Sequence, residues 1–348
     1  MRGMGKMMAI VTVPVALGPI LGPVIGGLIL GSLSWRWLFL VNVPVVLIGI
    51  ALAMWKLPDD SARRIRAKLD VIGLLLLAPG LALMLLGLSN IESGKGAASV
   101  DVLLPVIVGI ALVGGFTAWS LRRREKALVQ LRLLGRRTLA TSSIVMTLSG
   151  GALFGAMLLL PLYFQIVRGT DVLTAALLLI PQGVGALLSR TLAGRLTDSL
   201  GARTVAIAGF VVMGLATVPF ALSDGATNEI WLMITLLVRG FGMGAVMIPV
   251  MSVAFVGLER DEVPHASIIT RLAQQIGGAF GTAVLAVILE ATTSGATGIA
   301  DIANGFDTAF WWAVGFTVVA IGVCFALPAP VKKPAVAAST AGTPARSR

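Results

Sequence analysis

The ionisable and polar side chains that interrupt long apolar runs are the residues of this sequence best placed to do chemistry. Arg239 lies about ten residues, roughly 15 Å along a helix, inside the apolar run 229–256. Because a charge at that depth costs at least about 2.5 kcal/mol, such a residue is by default a functional-site hypothesis. The sequence leaves open a structural role, in which the guanidinium binds carbonyls of a glycine-rich neighbour. The candidates to line a polar path with Arg239 are Gln182, Gln165 and Asn42.

The side chains that metal binding, covalent catalysis and redox chemistry require are sparse. His265 is the single histidine, which makes a poor metal site. Cys324 is the single cysteine, so an internal disulfide is excluded, and its apolar surroundings favour an inert buried thiol. The chain contains no nucleophile elbow, phosphate-binding loop or zinc-ligand spacing. The sequence therefore predicts no cofactor, no metal and no enzymatic activity.

The composition predicts an integral membrane protein. Hydrophobic residues make up 57% of the chain, charged residues make up 12%, and the mean hydropathy is +0.96, whereas a soluble domain is about 25% charged. The net charge of +11 does not indicate nucleic-acid binding, because the basic residues stand in short segments between apolar runs. The expected surroundings of the chain are membrane lipid.

Apolar runs long enough to cross about 30 Å of hydrocarbon predict an all-α bundle of about ten transmembrane helices. They fall at 8–31, 38–55, 70–89, 102–121, 139–164, 173–193, 205–223, 229–256, 266–290 and 307–327. Segments between alternate runs, such as 56–68 and 122–137, carry most of the Lys and Arg residues, so they are predicted to be cytoplasmic. Both termini are then cytoplasmic, and the tail 328–348 is expected to be disordered.

A glycine- and proline-rich motif lies in the first apolar run: Gly18, Pro19, Gly22, Pro23, Gly26 and Gly27. Three of its glycines recur every four residues, so on a helix they form a stripe suited to close packing against another helix backbone. Its prolines bend the helix locally. With the following segment 34–44, the motif resembles the antiporter signature in the fifth helix of fourteen-span drug:proton antiporters (EmrB/QacA type) of the major facilitator superfamily.

A second motif, G-x-x-x-D-x-x-G-x-R, occupies the predicted cytoplasmic loop 194–203, and its residues of interest are Gly194, Arg195, Asp198, Gly201 and Arg203. It resembles the conserved loop of the same superfamily in its second-half copy, and the resemblance implies a charge latch between helices. Asp198 would cap the following helix, while Arg195 and Arg203 would pair with carboxylates in one conformation only. The alternative is an ordinary turn with Gly201 at positive φ.

Other segments resemble the ninth, tenth and twelfth helices of the fourteen-span antiporters, namely 160–165, 179–183 and 239–244. The glycine-rich segment 277–281 predicts a further close helix contact. The basic segment 122–137 contains interleaved leucines. It is expected to form either a short helix at the cytoplasmic headgroup level or a solvated loop.

The resemblance implies a major facilitator fold that lacks the first four helices of the family. The expected units are a remnant of the N-terminal bundle at 1–55, two extra central helices at 56–121, a basic linker at 122–138, a six-helix bundle at 139–327 and the tail 328–348.

The implied function is export of hydrophobic, amphipathic or cationic compounds from a bacterial cell by alternating access in the inner membrane. In the parent family this export is coupled to protons. The alternative is a truncated, non-transporting protein, or a half-transporter that needs a separate N-terminal segment, and accessory efflux proteins are a further class of partner. Every acidic residue maps to a loop or to the end of a predicted helix. The chain alone is therefore expected not to drive proton-coupled efflux, since coupling needs a titratable group inside the bundle.

The charge distribution makes a prediction about orientation. A reporter fused after Lys95 should be exported, and one fused after Arg124 should stay in the cytoplasm, because positively charged segments resist translocation. Alkaline phosphatase and green fluorescent protein activities in intact cells measure the two locations. Reversed signals would contradict the helix map.

Overall fold

The computed structural model describes residues 22, 24–56, 70–92, 99–123, 129–223, 227–259, 261–296 and 298–328. Within these ranges the regular structure is helical and no strand occurs. The α-helices are α1 (24–32), α2 (Trp37–Leu40), α3 (Asn42–Lys56), α4 (Val71–Glu92), α5 (Val100–Arg123), α6 (Arg137–Leu162), α7 (Val172–Leu178), α8 (Ile180–Leu200), α9 (Ala202–Ala221), α10 (Glu229–Ala254), α11 (Val263–Thr293) and α12 (Ile299–Cys324).

The predicted all-α membrane class is confirmed. In the described ranges, eight helices are long and apolar enough to cross a membrane, and the apolar part of α4, Val71–Gly87, is shorter. Most of the first predicted run, 8–31, lies outside the described residues.

The start of α12 differs from the sequence prediction. The helix begins at Ile299 rather than at 307, because the mainly apolar stretch 299–306 continues it despite containing Asp301 and Asn304. Asp307 therefore lies within a helix that can span the membrane. The expectation that every acidic residue occupies a loop or a helix end is wrong at this position.

Local hydrogen bonds explain where α7 begins. The Asp171 carboxylate accepts the backbone N–H groups of Leu173, at 3.1 Å, and Thr174, at 3.3 Å, and it also accepts the Thr174 hydroxyl. These are the bonds of an N-cap, which satisfies donors that the first helical turn leaves free. Led by the Thr174 hydroxyl, they lower the pKa of Asp171 below its ordinary value. The break at Leu179 separates α7 from α8.

Glycines set the distance between helices in the α6–α12 bundle. α6 packs along α11, and α10 packs against both α8 and α9. A Cβ atom added to Gly277 would lie 2.6 Å from the Thr147 Cα, and one added to Gly242 would lie 2.6 Å from the Met213 backbone nitrogen. Since these spaces exclude any side chain, the helices touch through their backbones. The close contact predicted for 277–281 is confirmed.

A short π-helix, Tyr163–Val167, continues α6 after Pro161, which lacks the N–H that a regular helix would use. The Tyr163 ring packs edge-to-face with four phenylalanine rings on the π-helix, α9 and α12, with centroids 5.6 to 6.1 Å away. Each such pair contributes about 0.5–1.5 kcal/mol beyond the burial of its surface. The cluster therefore fixes the end of the bundle at which α6 and α9 finish and α12 begins.

The helices α4 and α5 form a hairpin that packs against α11. A Cβ atom added to Gly109 would lie 2.6 Å from the Met84 Cγ, so the two helices are close in their middle. At one end, the buried Asp70 carboxylate accepts the Gly73 N–H at 3.0 Å and the Trp119 Nε1–H at 3.1 Å. Asp70 thus caps the start of α4 and links that helix to α5 through the hydrogen bond with Trp119.

The described part of the basic linker is buried at Val129 and Leu133 and exposed at Arg132, Leu134 and Arg136. It contains a short 3-10 helix, Leu131–Gly135, and a short helix is one of the two forms expected for this segment. Leu133 is buried in a cluster with Phe116 of α5 and Leu139 of α6. Residues 124–128 lie outside the described part of the chain.

Three residues of the glycine–proline motif are described: Gly26 and Gly27 lie on α1, and Gly22 lies before it. Gly27 is buried, and a Cβ atom added there would lie 3.2 Å from the Leu173 Cα on α7. No helix backbone in the described ranges lies within 4 Å of such an atom on Gly22 or Gly26. The expected close packing is therefore not found at these two glycines and occurs instead at Gly27, which faces α7. The other motif residues fall outside the described ranges: Gly18, Pro19 and Pro23.

The α6–α11 contact yields a test by matched substitution. Gly277→Ala should destabilise the protein by about 1–3 kcal/mol, because the new methyl group overlaps the α6 backbone. Gly315→Ala on α12 is the control, since nothing described lies within 4 Å of its added Cβ. There the better helix propensity of alanine should leave stability equal or slightly higher. Thermal unfolding in one detergent measures both variants, and equal midpoints would contradict the contact.

Candidate functional site

Arg239 lies in the middle of α10 and is 2% exposed. The glycines that follow it in the sequence let neighbouring helices approach α10. A Cβ atom added to Gly240 would lie 2.9 Å from the Gln182 Cα on α8, and Gly242 makes the corresponding contact with α9. The glycines of the 239–244 segment thereby place acceptors from two helices beside the guanidinium.

Three hydrogen bonds hold the Arg239 guanidinium. Its Nε donates to the Thr217 Oγ1 at 3.1 Å, its Nη1 donates to the Gln182 Oε1 at 3.0 Å, and its Nη2 donates to the Ala152 carbonyl oxygen at 3.2 Å. The three acceptors belong to α9, α8 and α6, respectively. One side chain of α10 therefore joins four helices at the centre of the bundle.

The electrostatics of this site are unusual for a buried cation. None of the described carboxylates forms an ion pair with Arg239, so only dipolar acceptors offset the loss of hydration. A guanidinium has five N–H donors, and three are used within the described structure. The other two leave capacity for an acceptor on a ligand or a water molecule.

The predicted polar path is only partly assembled. Gln182 contacts Arg239, as the hypothesis requires. Gln165 lies on the π-helix, and its amide donates to the Pro161 carbonyl. Asn42 is exposed on α3, and its amide donates to the Leu38 carbonyl. Neither Gln165 nor Asn42 forms a described hydrogen bond with Arg239 or Gln182. Of the four residues of the predicted path, the described structure therefore joins only Arg239 and Gln182.

The predicted latch residues lie at a helix junction rather than in a loop. The last turns of α8 contain Gly194, Arg195 and Asp198. Gly201, with φ of 86°, is the single residue between α8 and α9, which confirms its positive φ. Asp198 is exposed and does not cap α9, because helical continuation to Leu200 places it before the turn. The Arg203 guanidinium lies 5.2 Å from the Phe325 ring. The latch ion pair stays a prediction for another conformation.

Sequence reasoning missed several polar contacts. The Thr217 hydroxyl and the Ala152 carbonyl gave no signal, since threonine and alanine are common in membrane helices. The Arg136 guanidinium binds both oxygens of the Glu262 carboxylate at 2.9 Å and joins the linker to the start of α11. The spacing between these residues along the chain gives no hint of their pairing.

The Arg239 network predicts the effect of losing one acceptor. Thr217→Val should destabilise the protein by about 1–2 kcal/mol, because the buried Nε–H then loses its hydrogen-bond partner. The control is Thr235→Val, which removes a hydroxyl that binds only the Trp231 carbonyl of its own helix. Thermal unfolding midpoints compare the two. If Thr235→Val lowers the unfolding midpoint as much as Thr217→Val does, the contact with the arginine has no special role in stability.

Comparison with known proteins agrees with this architecture. The family model "Major Facilitator Superfamily" matches residues 2–282. The "Multidrug resistance protein B homolog" of Mycobacterium tuberculosis is 37% identical over 290 residues, which cover 83% of this chain and 54% of that protein. The "Lincomycin resistance protein LmrB" of Listeria monocytogenes is 29% identical over 288 residues, which cover 82% of this chain and 60% of that protein.

The chain spans about half the length of the first of these relatives, with 54% of that protein covered. The match to the family model extends from the segment before α1 into α11. The described part of the chain is a helical bundle, and eight of the helices in it are long and apolar enough to cross a membrane. The chain belongs to the Major Facilitator Superfamily of membrane transporters.

Proposed function

We propose that this chain takes part in multidrug efflux. It would export hydrophobic, amphipathic or cationic compounds through a bacterial inner membrane by alternating access, with both termini in the cytoplasm and proton coupling in the intact transporter. Support comes from relatives named for multidrug and lincomycin resistance and from apolar helices such as α3, which is exposed along its length and suits contact with lipid.

The observation that carries the proposal is the Arg239 network. Alternating access requires helices to change their neighbours, and a cation that binds three other helices must exchange acceptors when they move. A substrate oxygen or nitrogen that accepts one of the spare N–H groups would favour one arrangement over the other. Arg239 and Gln182 would then couple ligand binding to the position of α8.

The motifs at the two other sites would act on the same equilibrium. In a second conformation the exposed Asp198 would pair with a basic residue and hold the cytoplasmic ends of α8 and α9. The glycine–proline motif would contribute close and adjustable helix contacts, of which the Gly27 contact with α7 is one. Both roles follow from the family resemblance of these residues.

Liposomes that contain the purified chain and the fluorescent cation ethidium test this function. The wild-type chain should speed equilibration of the dye, and Arg239→Ala should slow it at least tenfold, because the central acceptors lose their donor. Arg239→Lys should also fail, since an ammonium lacks the planar fork that reaches three acceptors. Arg271→Ala, which changes an exposed arginine on α11, is the control and should behave as wild type.

An inward proton gradient added to these liposomes tests coupling separately. Equilibration without uphill accumulation is the expected result for this chain alone. Uphill accumulation that a protonophore abolishes would contradict that expectation while supporting efflux. If the wild-type chain moves no dye under either condition, the proposed function is wrong.

A further inference from the structure

A cavity of about 350 Å³ lies at the end of the bundle where α9 finishes and α12 begins. This is the end opposite the basic segments that predict the cytoplasmic side. Most of its wall is apolar, including Leu222 and Ala303, and its polar lining consists of Ser223, Asn304 and Asp307. Apolar walls with a few fixed polar groups are typical of sites for small organic ligands, and the volume falls within their usual range.

Asp307 supplies the charge of this cavity. It lies eight residues after the start of α12, about 12 Å along the helix. Its Oδ1 is buried, and no group in the described ranges forms a hydrogen bond with it. Arg168, which follows the lining residue Val167, has its guanidinium 3.7 Å from the Glu229 carboxylate. Within the described ranges the Asp307 carboxylate forms no salt bridge with a basic residue.

The Ser223 hydroxyl is a second polar group of the lining that can accept a hydrogen bond. The Ser223 hydroxyl lies 3.1 Å from the Phe220 carbonyl, to which it can donate, and 2.7 Å from the Tyr163 hydroxyl, where either hydroxyl can be the donor. In both arrangements the Ser223 oxygen accepts at most one hydrogen bond from the described residues. One lone pair of the Ser223 oxygen remains for a ligand donor. Tyr163 is buried among phenylalanine rings, which keeps this wall rigid. A carboxylate beside a hydroxyl oxygen matches a ligand that carries N–H donors and a positive charge.

We propose that this cavity binds small protonated amines, with Asp307 as their counter-ion and Ser223 as a hydrogen-bond acceptor. An apolar portion of the ligand would lie against Leu222 and Ala303, and its ammonium group would enter between the polar side chains. The site gives the proposed efflux function a substrate class, and it rests on that function only for the direction of transport. Binding itself requires no transport and can be measured at equilibrium.

The test compares two fluorescent probes that share a fluorophore and a chain but differ at the terminal amine, which is charged in one and acetylated in the other. Dansylcadaverine carries a primary ammonium group, and its N-acetyl derivative keeps the fluorophore and chain but is neutral. The chain is placed in nanodiscs of zwitterionic phosphatidylcholine, so that lipid charge does not attract the cation. Wild type should bind dansylcadaverine at least tenfold more tightly than the acetylated probe. Asp307→Asn should abolish this difference, because it removes the counter-ion and keeps the shape of the side chain.

Asp301→Asn is the matched control, since Asp301 is exposed in the first turn of the same helix. It should preserve the preference for the cationic probe. Ala300→Phe, which places a ring at the cavity wall, should weaken the binding of both probes. The proposal is overturned if Asp307→Asn keeps the wild-type preference, if Asp301→Asn abolishes it equally, or if wild type binds both probes alike. None of these results depends on dye movement in liposomes, so the proposed efflux function stands or fails separately.

Discussion

A cation in the middle of an apolar bundle has to find its acceptors within the protein, because the surrounding lipid offers none. Arg239 meets this constraint with a hydroxyl, an amide oxygen and a backbone carbonyl from three neighbouring helices. These groups come within reach only because glycines at the helix contacts bring the backbones together. The glycine positions and the arginine network therefore depend on each other, and the packing of α6, α8, α9 and α10 follows from both.

The features that could be predicted from the sequence are those that depend on the residues of a single helix. Apolar runs located the helices, the spacing of glycines predicted the contact at Gly277, and the depth of Arg239 in its run marked it as a site. The sequence did not predict which residues meet across helices, because Thr217 and Ala152 carry no signature in a single chain. It also failed at Asp307, since polar residues near the start of α12 made helical sequence resemble a loop.

The two charged residues inside the bundle, Arg239 and Asp307, differ in how their surroundings offset the cost of burying a charge. Arg239 is enclosed and its charge is spread over several fixed dipoles, so the arrangement of helices determines its surroundings. Asp307 stands beside a cavity and has one carboxylate oxygen without a partner in the described structure. The first charge is held by polar groups of the fold, whereas the second belongs to a residue that lines a cavity.

The one-residue connection at Gly201 has a mechanical consequence. α8 ends at Leu200 and α9 begins at Ala202, so their joined ends cannot slide past each other along the membrane normal. One helix can still tilt about Gly201 relative to the other. The displacement of a residue on the tilting helix then grows with its distance from Gly201. The Gln182 end of α8 lies about 27 Å from Leu200 along the helix. A tilt of only a few degrees at Gly201 would therefore move the Gln182 backbone by more than an ångström, enough to change the reach of a hydrogen bond.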